Sequence, residues 1–145
     1  MWERLPEETV QRFMRLEKDL AAGHGRFALF GIFQRENSSG YWDVVASAPW
    51  IEASPGDARK LFARLLSAEL TPGELTLLSQ IAFITPKGPH YDAAMRRIER
   101  AVYAAFGSPE VEHGLVEMRD VDLFGQTIDH AYIITAQSLN VPVLA

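Results

Sequence analysis

The residues with chemistry to offer begin with Thr85-Pro86-Lys87-Gly88-Pro89-His90, which lies between a predicted strand and a predicted helix. A helix N-terminus carries unsatisfied N–H groups and a partial positive charge. Lys87 and His90, with Arg97 further along the same helix, therefore form a candidate anion-binding set. Arg96 and Arg100 make this neighbourhood the most basic in the chain. Against it, Pro86 and Pro89 remove donors and no phosphate-loop pattern is present. The competing reading is a tight connection followed by a solvated arginine face.

A second group is His113, His130 and Glu117. If the last hairpin turns near Val121–Asp122, the two histidines stand opposite each other and Glu117 shares their face, and imidazole plus carboxylate is a common divalent-metal set. A slip of one residue breaks that geometry, and neither a metal nor any other cofactor is expected. Asp43 is the third candidate, set between Trp42 and Val44. A carboxyl in so apolar a strand is desolvated unless paired, which is the environment of a catalytic acid, so Asp43 and His90 are the candidate acid–base residues. For Asp43 the alternative is a hydrogen-bonded place at the strand's open end.

Several chemistries are excluded. The chain has no cysteine, which removes disulfides, thiolate metal sites and thiol nucleophiles. Ser47 and Ser79 have no neighbouring base, and no Gly-x-Ser-x-Gly occurs. Asp43 with Glu52 and Lys87 lacks the Glu-x-Lys spacing of a nuclease set. The net charge of −5, and aromatics not interleaved with Lys or Arg, argue against direct nucleic-acid binding. Six acids and the single base Arg119 between Glu110 and His130 account for all of that charge. No apolar run approaches the roughly 18–20 residues of a membrane span, and no apolar h-region follows Met1-Trp2-Glu3-Arg4, so a cytoplasmic protein is expected.

The elements that must position these residues centre on Arg26–Glu52, read as a hairpin with strands near Phe27–Gln34 and Tyr41–Ala48. Neither strand has a wet face: Phe27, Leu29 and Phe33 point one way, and Ala28, Phe30 and Ile32 the other. Such a hairpin must be covered on both sides. Helices are predicted over Pro6–Ala22, after Ser54-Pro55-Gly56-Asp57, and over Tyr91–Phe106 with Ala94, Ile98, Ala101, Val102 and Ala105 inward. Thr71-Pro72-Gly73-Glu74 reads as a capping box opening a short helix. A strand is predicted at Gln80–Thr85, and a last hairpin over Val111–Met118, a turn around Asp120–Gln126, and Thr127–Ala136. Trp50 is read as a seal on the first hairpin.

The expected fold is a single α+β domain over residues 1–145: about five strands, largely antiparallel, as two hairpins plus one strand, packed with three long helices and one short one. A mixed sheet is the alternative, and residues 138–145 form a possible extended arm whose Pro142 limits it to an edge. The expected role is a module acting through protein contacts, a homodimer through an apolar sheet face or that arm. The alternative is a small enzyme or ligand-binding domain with an anion subsite at Lys87 and His90 and a carboxylate from Asp43.

Overall fold

The computed structural model describes residues 4–139. The chain order is α1 (Glu7–His24), β1 (Leu29–Arg35), β2 (Trp42–Ser47), α2 (Pro49–Ala53), α3 (Pro55–Glu69), α4 (Pro72–Leu75), β3 (Leu78–Phe83), α5 (Pro89–Phe106), β4 (Val116–Leu123) and β5 (Gln126–Ala136). It is an α+β domain around a five-stranded sheet of order β3-β2-β1-β5-β4. Every neighbouring pair is antiparallel except β2 and β3, so the sheet is mixed. Parallel neighbours need a long crossover, and α2, α3 and α4 supply it.

The hairpin without a wet face is indeed covered on both sides. Phe30, Ile32, Trp42, Val44 and Ala46 meet Phe13, Leu16 and Leu20 of α1 and Phe62 and Leu66 of α3. Leu29, Phe33 and Val45 face the other way, towards Ala94, Ile98 and Val102 of α5. Phe27 precedes the strand and packs with Phe30 rather than alternating away from it. The interior strand β5, beside the central β1, is also apolar on both faces, with residues 130–136 all buried. Gly31 is required where β1 and β5 slip register. A Cβ there would lie 2.8 Å from the Tyr132 carbonyl oxygen, closer than packing allows.

Four local expectations are corrected. The β3 strand starts two residues early because it pairs with β2 from Trp42 and Leu78 onward, and the Trp42 amide donates to the Leu77 carbonyl. The segment Pro49–Ala53 is an additional short helix. Ala105 is exposed, since α5 leaves the sheet near its end. The terminal hairpin turns at Phe124-Gly125, inside the expected segment Asp120–Gln126 but not at the Val121–Asp122 centre that the metal set needs: Leu123 pairs with Gln126, and both turn residues have positive φ, the signature of a two-residue type I′ connection. The residues of the expected C-terminal arm from 140 onward lie outside the described part. Among the described residues no helix is long and apolar enough to cross a membrane.

Two acidic side chains lock helices to this frame. Glu17 of α1 is fully buried, accepting from Thr135 Oγ1 at 2.9 Å and meeting His113 Nδ1 at 2.5 Å. Glu74 closes the capping box with Thr71, and also accepts from Thr9 Oγ1 at 2.5 Å and Arg12 Nη1 at 2.6 Å, tying α4 to α1. Burial would raise its pKa, but the bonds from Thr9, the Thr71 amide and Arg12 outweigh that and bring it down from 4.5 to about 2. A carboxyl with a depressed folded pKa stabilises above its unfolded pKa, and that contribution disappears as pH falls from 4.5 towards 2. Glu74→Gln should therefore destabilise the protein by roughly 2–3 kcal/mol at neutral pH in urea titrations. The gap between variant and parent should shrink steadily over that acid range.

Candidate functional site

The structure separates most of the side chains that the sequence nominates. Asp43 is buried and engaged: Arg35 Nε donates to it at 2.6 Å and Gln80 Nε2 at 3.2 Å, so it clamps β1, β2 and β3 together. Lys87 is exposed on the connection into α5. His90 and Arg97 share a shallow depression of about 380 Å³ against the Phe124-Gly125 turn, with Arg97 Nη1 donating to the Asp122 carbonyl at 2.8 Å. Lys87 does not line that depression, and the anion set is split.

The two histidines are not opposite each other. The real turn pairs His130 with Arg119, while His113 precedes β4 with positive φ and meets Glu17. Glu117 does reach His130, at 3.0 Å from Nε2, and also meets Arg4 and Arg119. Among the described residues no group of metal-ligating side chains converges. Trp50 seals the top of the hairpin as expected, donating to the Gly25 carbonyl and packing on His24, Phe27 and Phe62.

A more apolar cleft lies elsewhere, where β2 and β3 end. It has a volume of about 610 Å³, within the ordinary range for small-ligand sites. One wall is α5, which presents Tyr91, Met95 and Glu99; the opposite wall is the end of β2 and the start of α2, from Ser47 to Glu52. Ala28, Pro86 and Leu139 close the remaining sides with apolar surface. Outside the carboxyl ends of parallel strands, diverging connections leave a crevice, and here the β2 and β3 connections part to opposite faces of the sheet, the second running into α5.

Two polar groups in this cleft stand out. Ser47 is only 2% exposed, and its Oγ is buried with no hydrogen-bond partner. It lies on the α5 face of the sheet, alternating with Val45 and Asp43. Tyr91 is part-buried, and its phenol pKa is raised, first by burial and then by the carboxylates of Asp92 and Glu52. The sequence passed over both: Ser47 lacks a base, and Tyr91 reads only as a helix start. The available signal was the junction of a strand end with a helix start, and it has meaning only once β2 and β3 are known to be parallel.

A second cleft, of about 700 Å³, opens at the opposite end of the sheet beside the β1–β2 turn. Its charges balance, with Arg4 and Arg35 against Glu36 and Asp129. Beneath it His130 is fully buried against Trp42 and Tyr132, with ring centroids 5.3 and 4.5 Å away. Burial lowers the His130 pKa, outweighing the opposing hydrogen bond and charge of Glu117. The unfolded chain therefore takes up a proton near the ordinary value of 6.5 that the folded protein resists, so stability falls as pH drops below 6.5. Melting curves between pH 7 and 5 should show a declining melting temperature, and His130→Gln should flatten that decline.

No family model, curated protein or solved structure matches the chain.

Proposed function

We propose that the protein binds a small molecule in the cleft between α5 and the ends of β2 and β3. The observation that carries this reading is Ser47 Oγ, a buried hydroxyl with no protein partner in the wall of a ligand-sized cleft. Leaving such a group unmatched costs about 1–3 kcal/mol, and a ligand polar atom that reaches it recovers much of that. The aliphatic side chains of Met95 and Leu139 and the ring of Tyr91 supply contact area for an apolar body. In proton–carbon NMR titrations, 1-hexanol should shift Met95, Ala48 and Leu139 methyl signals and leave the rest of the surface unchanged. Ser47→Val should weaken that response about fivefold or more. Shifts scattered over the surface, or a response unaffected by Ser47→Val, would overturn the reading.

A second reading, action through protein contacts as a homodimer, is favoured by the edge strand β3. Residues Leu77 to Thr85 contain neither charge nor proline, the usual protections of an exposed edge. Both faces of β1 and β2 are covered within one chain, so an edge rather than a face is the surface for a second copy. Arg59 partly guards it, donating from Nη1 to the Ile81 carbonyl at 2.8 Å and lying over the Phe83 ring. Sedimentation velocity at tens of micromolar should show a dimer that Ser79→Lys dissociates; a single monomeric boundary for the parent protein would end this reading.

A further inference from the structure

Several carboxyl groups of this protein are matched by a guanidinium. Asp43 has Arg35, Glu74 has Arg12, Glu112 has Arg26 and Glu117 has Arg4. The cleft at the ends of β2 and β3 gathers carboxyl groups without such partners, two exposed and one half-buried. Glu52, Asp92 and Glu99 line it against the single guanidinium of Arg96, and none of the four enters an ion pair or side-chain hydrogen bond among the described residues. The other large cleft is charge-balanced, so this imbalance is specific to the place where Ser47 lies unmatched.

We propose that this cleft takes an organic cation, a primary or secondary amine on an apolar body, held between the Tyr91 ring and the carboxylates of Glu52, Asp92 and Glu99. The proposal rests on the cleft being a ligand site and adds the class of ligand. An anion is disfavoured because three carboxylates would face it across a part-buried volume. A bare metal ion does not fit either, since no three ligating side chains converge among the described residues. An ammonium group needs no such convergence: its three donors reach separated acceptors, and its charge is attracted to the face of an aromatic ring. The same carboxylates act on Tyr91, whose phenol pKa is raised first by burial and then by the charges of Asp92 and Glu52. Met95, Leu139 and Pro86 then take the apolar body, and Ser47 Oγ accepts from or donates to a polar atom deeper in the molecule.

The test compares probes of one length and different heads: n-hexylamine, 1-hexanol and hexanoate, titrated at pH 7 while the Met95 and Leu139 methyl signals are followed. The amine should bind about tenfold more tightly than the alcohol, with hexanoate the weakest, and the amine's advantage should fade as salt is raised. The double substitution of Glu52→Gln and Asp92→Asn, both at exposed positions, should remove the amine's advantage and bring hexylamine to the level of hexanol in the same variant; an advantage that survives the substitution would overturn the role of these carboxylates. Melting temperatures of parent and variant serve as the folding control. Equal binding of hexylamine and hexanol by the parent protein would overturn the cationic class while the cleft itself stood as a ligand site. No response to any of the three probes would overturn both.

Discussion

A carboxyl group with no access to water has to be matched by polar neighbours, and Glu17 is the most enclosed group of this kind among the described residues. It projects from α1 into the sheet, where Thr135 of β5 donates to one oxygen and His113 meets the other. His113 adopts positive φ, and its own amide donates to Thr135 Oγ1, so the segment ahead of β4 is drawn into the same knot. One side chain thereby fixes the rotation of a helix, the depth of a strand and the path of a loop. An apolar residue at this site would let α1 turn on its greasy face. The buried acid permits one orientation, because displacing it leaves a polar group unmatched, at a cost of roughly 1–3 kcal/mol or more.

With α1 and α3 held on one face, only the other face is left to α5. The mixed topology decides where a ligand can enter. The chain leaves β2 into the helices of one layer and leaves β3 into the helix of the other, so the two exits diverge at the same end of the sheet. A crevice at that point follows from connectivity. Its chemistry follows from which residues happen to stand at the two exits and on the near side of α5.

What the sequence made legible is what repeats locally. The hairpin apolar on both faces, the Thr71–Glu74 capping box and the helix stripe of Ala94, Ile98 and Val102 each rest on spacing within a few residues, and each is present. The metal set of His113, His130 and Glu117 depended on a hairpin register centred near Val121–Asp122, and a turn a few residues away takes the two histidines out of opposition. The chain instead turns at Phe124-Gly125, where packing of the Phe124 ring on Phe33 and Tyr91 supports a backbone conformation that phenylalanine rarely adopts. The cleft was illegible for a different reason. Ser47, Glu52 and Tyr91 are ordinary residues in their own segments, and become a site only through the crossover that makes β2 and β3 parallel.

The position of β5 has a consequence for how the chain reaches this structure. It is the last strand in the described sequence, yet it lies inside the sheet, between β1 and β4. The clasp that closes the join, from Gln137 Nε2 to the Phe27 carbonyl, links residues 110 positions apart. Until β5 arrives, β1 has a bare hydrogen-bonding edge, and Glu17 lacks Thr135. During synthesis the amino-terminal two thirds can form α1, the first hairpin and the crossover, but its core stays open along one side. The pairing that closes the sheet is therefore a long-range one, whose loop-closure entropy has to be met before its contacts contribute.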